Sequence, residues 1–320
     1  MRIYHLLSLT LALGLFGLGE CLAQPNSITP APNIEVWGQE YFDASQRLSL
    51  TFTGVEGDDL MHLRRATEEL GLSLKEAKRP AKSNYLALNI VPLEDIAEAS
   101  TFESFDEGYL LDITPQGIDI KATTPQGLYY GIQSLKALTL NSKQLTTCHI
   151  CDAPRFEYRG ILIDISRHFR TKEFLMRQMD IMAELKMNRL HLHLTDAAGW
   201  RIEVESYPRL TSFAAWRMPD TWKEWWYGER GHVEMGTPGA YGGYLTKEEA
   251  RELVAYAEER YITIIPEIEM PGHSDEVIAA YPELGCSHKP KNQGDLCIGK
   301  EATFEMMQSI LDEIIEIFPS

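Results

Sequence analysis

Three apolar runs in the second half of the chain end on polar, chemically competent residues, and amphipathic stretches separate them. Gly160 to Phe169, Asn188 to Asp196 and Tyr261 to His273 each read as a β-strand running into a loop. Their strand cores are nearly continuous in apolar residues, as expected of a parallel sheet covered on both faces. After the first run, Thr171 stands where it can cap a helix reaching Lys186, with Phe174, Ile181 and Leu185 on one stripe. After the second, Thr246-Lys247-Glu248-Glu249 is a capping box, followed by Ala250, Leu253, Val254 and Ala257 at helical spacing. After the third, Met307, Ile310, Leu311 and Ile314 mark a helix ending near Ile317. This β-α-β-α-β-α order predicts an α/β domain over 154–320, the first three units of an incomplete (β/α)8 TIM barrel. A fourth strand is expected just past Phe318-Pro319-Ser320.

The first half has another rhythm. Leu48 to Phe52 and Tyr85 to Val91 read as strands with a helix, Asp59 to Leu70, between them. Tyr109 to Ile113 and Ile118 to Ala122 form a hairpin across Thr114-Pro115-Gln116-Gly117. The same four letters recur at Thr124-Pro125-Gln126-Gly127, but there they open a helix, with Thr124 as cap and Pro125 where a missing N–H costs nothing. Residues 36–150 thus predict a small α+β domain without a catalytic cluster, and the Pro- and Asn-rich residues 24–35 read as a linker. The first 23 residues carry Arg2, an apolar run from Leu6 to Leu18 and a small-residue exit at Ala23. They read as a secretory signal, which implies an exported protein, periplasmic or secreted. The run is too short to span a bilayer, which takes roughly 20 residues.

Charge narrows the partners. A formal net charge of −17 repels phosphate backbones, so nucleic acid is not an expected partner. A bridge between Cys286 and Cys297, across the polar loop Ser287 to Leu296, is geometrically conceivable. Cys148-His149-Ile150-Cys151 lacks the second Cys pair of a zinc site, so no metal is expected there.

Arg167, just past the first strand, can hold vicinal hydroxyls or a carboxylate through its fork of donors, or form a salt bridge with Asp164. Asp196 and His273 close the second and third runs, and a carboxylate beside an imidazole fixes its tautomer and orientation. His191 and His193 could form a metal pair of the kind found in barrel hydrolases, or pack between strand and helix. Trp200, Trp216, Trp222, Trp225 and Trp226 crowd one loop; at least one could stack on a pyranose ring.

With those residues in place, the chain from Arg155 onward resembles the family-20 glycoside hydrolases, the β-N-acetylhexosaminidases. The matching text includes Asp164-x-Ser166-Arg167-His168-Phe169, Lys186-x-Asn188, His191-x-His193-Leu194-Thr195-Asp196 and Pro266-Glu267-Ile268-x-Met270-Pro271-Gly272-His273. Gln126-Gly127-Leu128-Tyr129-Tyr130-Gly131 is similar to the α+β domain that precedes the barrel in that family. The resemblance implies exo-hydrolysis of terminal N-acetyl-β-D-hexosamine, with the substrate's own acetamido oxygen as nucleophile. It implies Arg167 as substrate binder, Asp196 and His273 as the pair supporting the general acid, and no metal or organic cofactor. Two departures stand out. After Asp196 the family usually has Asp-Gln, where this chain has Ala197-Ala198. The family's Asp-Glu pair, which supplies the acid, is expected on the fourth strand, past Ser320. An incomplete chain without the acid is therefore expected. The alternatives are a shortened, non-catalytic sugar-binding or non-functional derivative and, more remotely, a metal-dependent barrel hydrolase.

Overall fold

The computed structural model describes residues 28–218, 220–286 and 294–319. The signal sequence expected over 1–23 lies outside them. The first sheet has seven strands: β1 (Ile34–Asp43), β2 (Leu48–Thr53), β3 (Leu74–Glu76), β4 (Tyr85–Ile90), β5 (Tyr109–Thr114), β6 (Gly117–Ala122) and β7 (Gln144–Asp152). Their order is β1-β7-β5-β6-β4-β2-β3. Helices α1 (Gly57–Glu68) and α2 (Pro125–Thr139) share the core of this sheet. The Thr124 hydroxyl accepts the Gly127 N–H at 3.1 Å and caps α2 as expected. Gly127 and Gly131 have to be glycine, because a Cβ would run into the Gly108 carbonyl and the Ile120 side chain. That contact lets α2 lie directly on the sheet.

Residues 34 and 35 belong to β1 rather than to a linker, and Asn33 donates from its backbone and side chain to Asp152. β1 lies at the sheet edge with most residues exposed and shifts register between Trp37 and Tyr41, so it carries no clean alternation.

The second sheet is parallel, in the order β14-β9-β8, from β8 (Gly160–Asp164), β9 (Arg189–His193) and β14 (Thr263–Glu267). Two small ribbons stand above it: β10 (Thr195–Asp196) with β11 (Gly199–Trp200), and β12 (Trp216–Arg217) with β13 (Tyr241–Gly242). Helices α3 (Lys172–Glu184), α4 (Arg209–Ser212), α5 (Trp222–Tyr227), α6 (Lys247–Glu258), α7 (Asp275–Ala280) and α8 (Glu301–Ile317) complete this half. The Thr246–Glu249 capping box forms with both reciprocal bonds.

Only one face of this sheet is buried. Leu190, Leu192 and Ile264 lie in the core, whereas Leu162, in register with His191 and Ile265, is 55% exposed. Coverage on both faces is therefore not seen among the described residues.

Two helical stripes also differ from expectation. α3 buries Leu175, Met179, Met182 and Ala183, and leaves Ile181 exposed. Phe174 and Ile181 do share a face, but it is turned about 100° from the one that meets the sheet. α8 buries Met306, Ile310 and Ile314, with Leu311 facing out. Thr171 makes no side-chain cap bond to α3.

A buried polar joint ties the two sheets together. Lys186 follows α3 in a left-handed conformation, φ 55°, and its ammonium reaches Asp152 at 3.2 Å and the Tyr109 hydroxyl at 3.1 Å. Asn188 donates to Glu107 at 3.1 Å, and Arg159 pairs with the same carboxylate.

Candidate active site

The last residues of the three parallel strands are in register: Asp164 pairs with His193, and His193 with Glu267. Residues in register share a face, so an acid, an imidazole and a second acid converge on the exposed face at its C-terminal end. His191, two residues before His193, points the same way. Glu267 accepts from the His193 ring at 2.6 Å and lies 2.9 Å from His191 Nε2. Neither histidine is packed between strand and helix.

Asp196 is the hub. It is 2% exposed, and its Oδ2 pairs with Arg167 Nη2 at 2.6 Å, lies 3.1 Å from His273 Nδ1 and hydrogen-bonds His193 Nε2 at 3.2 Å. Burial alone would depress the His193 ring, but hydrogen bonds to Asp196 and Glu267 outweigh it and lift its pKa to about 9. The ring is thus an imidazolium at neutral pH, with both nitrogens donating. Arg167 Nη1, 3.1 Å from His193 Nε2, is then a close neighbour rather than a hydrogen-bond partner.

Arg167 is aimed by its own loop. Asp164 Oδ1 accepts the backbone N–H groups of Ser166 and Arg167, and its Oδ2 holds Arg167 Nη1 at 2.8 Å. The Ser166 hydroxyl donates to the carbonyls of Asp196 and Gly199. Beneath it, the fully buried Arg201 spends its donors on backbone carbonyls: Ser166, Ala198, Ala215 and Gly243. Burial draws this guanidinium down to about 9.

All three sequence-derived site residues, Arg167, Asp196 and His273, meet here. Two of their positions need correction: β9 ends at His193, with Asp196 three residues beyond it in the ribbon strand β10, and β14 ends at Glu267, with His273 six residues beyond it, in a turn at φ 51°. Glu267 itself was missed as a site residue. Its signal was available, since Asp164, His193 and Glu267 each end an apolar strand.

The carboxylates raise the question of a metal. One ligand atom each from His193, Asp196 and Glu269 falls within a 4.8 Å cluster. Arg167 already supplies a cation there, and both His193 nitrogens face carboxylates, so the donor set fits an ion-pair network better than a metal site. Cys148 and Cys151 belong to different cores on β7 and cannot converge on one ion.

The tryptophans divide by burial. Trp200 and Trp225 are fully buried, and Trp225 packs on Ala197 and Ala198. Trp226 is partly exposed and stacks on Trp222 with ring centroids 5.3 Å apart. Cys286 and Cys297 are bridged.

Residues 156–320 match the catalytic domain of glycosyl hydrolase family 20. The chain belongs to that family. Residues 26–153 match domain 2 of the same family. A β-hexosaminidase of Porphyromonas gingivalis is 34% identical over 275 residues, 80% of this chain and 32% of that protein. One from Akkermansia muciniphila is 38% identical over 236 residues, 70% of this chain and 45% of its own length. This family-20 chain therefore spans less than half the length of these two curated relatives. Among solved structures, a β-N-acetylhexosaminidase from Bacteroides fragilis aligns with a TM-score of 0.73 at 28% identity, covering 92% of this chain and 55% of the other. An exo β-N-acetylglucosaminidase from Vibrio harveyi aligns at 0.75 and 28%, covering 92% and 46%. In this member of the family, Ala197 and Ala198, where the resemblance leads one to expect a polar pair, pack against Trp225.

One buried acid stands apart from the network. Glu276, on α7, is fully buried, and among the described residues no side chain pairs with either of its carboxylate oxygens. Burial holds its pKa well above the usual carboxylate range; N–H groups of the first helical turn only partly offset this, and Asp196 and Asp275 add to it. A carboxyl with a raised folded pKa weakens the fold progressively as pH rises above its unfolded value. Glu276→Gln is therefore expected to match the parent near pH 4 and to be more stable by about 1–3 kcal/mol at pH 8. Melting curves across pH 4–9 check this; a difference that does not grow with pH would show that the carboxyl stays hydrated. His193 contributes a separate loss, with stability full below its unfolded pKa and declining as pH rises through about 9, and the variant keeps it.

Proposed function

We propose that this chain carries the sugar-binding and supporting part of an exo-acting β-N-acetylhexosaminidase. It would release terminal, non-reducing N-acetyl-β-D-hexosamine residues with retention of configuration. The observation that carries this reading is Arg167 held on buried Asp196 at the strand ends of a family-20 chain. On this reading the three parallel strands are the first units of a TIM barrel, and the protein is exported. Asp196 and His273 support the general acid, which is expected on a fourth barrel strand past Ser320.

The chemistry divides between substrate and protein. The 2-acetamido oxygen attacks the anomeric carbon as the bond to the leaving oxygen breaks, giving an oxazolinium ion. The acid protonates the leaving oxygen, and water then opens the ring. Arg167, 31% exposed, is accessible to the terminal sugar's hydroxyls while Asp164 and Asp196 fix its orientation. The His273 ring rests on Asp196 and can pass that carboxylate's influence to the acid.

The test uses the full product of the gene. It is expected to hydrolyse an aryl N-acetyl-β-glucosaminide and to leave the matching β-glucoside, which lacks the acetamido group, untouched. Exhaustive EDTA treatment is expected to leave the rate unchanged. Comparable rates on both substrates would remove substrate assistance from the account. Loss with EDTA, restored by zinc, would promote the metal reading of His191 and His193. Sugar binding without turnover would mark a non-catalytic relative.

A further inference from the structure

Lys75, at the middle of β3, and Lys78, Arg79 and Lys82, on the connection to β4, fall within eight residues of a chain whose net charge is −17. All four are exposed, and none of their side chains has an ion-pair or hydrogen-bond partner among the described residues. Elsewhere on the surface Lys136, Lys172 and Lys247 are each paired with an acid. The one acid in the stretch, Glu76, turns to the helix side of the sheet, where Arg64 of α1 donates to its two oxygens at 2.9 and 2.7 Å. Successive strand residues point to opposite faces, so Lys75 faces away from α1. The strand order β4-β2-β3 makes the connection cross β2, which keeps its three cations at the same edge of the sheet as Lys75. Pro80 fixes one backbone angle within it.

The patch stands apart from the Arg167 site. Tyr261, just ahead of β14, donates to Asp59 of α1 at 2.8 Å. α1, and β3 tied to it through Arg64 and Glu76, therefore sit toward the N-terminal ends of the parallel strands. Arg167 and Asp196 lie at the opposite ends.

Four unpaired cations at one edge suit a polyanion. Three of them are lysines, compact charges without the planar fork that selects one oxyanion geometry, so the patch responds to charge density rather than to a single group. No residue from 73 to 84 is a large, exposed apolar side chain. The patch thus has no ring on which a nucleobase can stack, no wedge to enter a bilayer and no anchor for a protein interface. The reach of the charges favours a thin partner. At physiological salt a charge is screened beyond about 8 Å. An anionic bilayer would press its whole plane against the acidic surface around the patch, whereas a single polysaccharide strand meets the patch alone. We propose that this edge binds an anionic polysaccharide through its sulfate or carboxylate groups, as a tether separate from the Arg167 site. The inference goes beyond the hydrolase reading and does not depend on it.

The experiment titrates the full gene product into fluorescently labelled dextran sulfate, polygalacturonate and neutral dextran at low salt and reads anisotropy, whether or not the protein turns over a substrate. Both anionic polymers are expected to bind and neutral dextran is not. Affinity should fall with salt along a log–log slope of about −2 to −3, as four neutralised charges require. Lys78→Gln, Arg79→Gln and Lys82→Gln together are expected to weaken binding by about tenfold or more. A matched variant, Arg177→Gln, Lys223→Gln and Arg251→Gln, removes three exposed cations from the other half of the chain and is expected to bind as the parent does. Equal losses in the two triple variants, or no binding by the parent, overturn the inference. Phosphatidylglycerol vesicles or single-stranded oligothymidylate bound as tightly as the polysaccharides, and released by the Lys78, Arg79 and Lys82 substitutions, would give the patch to a membrane or a nucleic acid and overturn it as well.

Discussion

Arg167→Ala is expected to lower kcat/KM for an aryl N-acetyl-β-glucosaminide at least tenfold while the melting transition remains cooperative. Two contributions act in the same direction. Charge-assisted hydrogen bonds to the sugar's hydroxyls are worth about 1.5–3 kcal/mol each, and alanine removes them all. The buried Asp196 carboxylate would also lose its shortest partner and keep only His193 and His273. Kinetics and circular dichroism on the full gene product check both parts. If kinetics are unchanged and only the melting temperature drops, Arg167 is a structural partner of Asp164 and nothing more.

The largest stability effect is expected away from the site. Asp152→Ala would leave the Lys186 ammonium, 4% exposed, without its counter-charge, and would also strip Asn33 and Tyr109 of an acceptor. Burial already draws Lys186 below its usual pKa against the pull of Asp152. Breaking one side of a buried pair costs about 3–5 kcal/mol. Urea unfolding is expected to show a loss of that size, and Lys186→Met in the same background should recover part of it. A loss below about 1 kcal/mol would mean that water reaches the pair and replaces Asp152.

Much of the local structure was legible in the residues themselves. The Thr246 capping box, the Thr124 cap and the Tyr109–Ala122 hairpin depend on neighbours within a few positions, and each formed as its spacing required. The apolar face of α6 also held, with Ala250, Leu253 and Ala257 buried. α3 shows where such reasoning stops. A helix with apolar residues on more than one face does not declare which face meets the sheet, and the strands chose Leu175 and Met179 over Phe174 and Ile181. β1 escaped notice because an edge strand needs no buried alternation.

The candidate site divides in the same way. Arg167, Asp196 and His273 could be named from their places in the sequence, because a polar residue that ends or follows an apolar strand is rarely there for packing. The resemblance paired Asp196 with His273, but the arrival of Arg167 and His193 at the same carboxylate oxygen could not be read along the chain. It depends on the parallel register that sets Asp164, His193 and Glu267 side by side, and register is a long-range choice made by the whole sheet. Which tryptophan stays open and why Glu276 is buried without a side-chain partner were likewise decided by tertiary structure. Period, caps and strand-end chemistry act over a few residues and can be read along the chain. Partners drawn from distant positions, such as Asp196 for Arg167 and His273 for Asp196, are selected only when the chain packs, because burial and pairing are properties of the assembled neighbourhood.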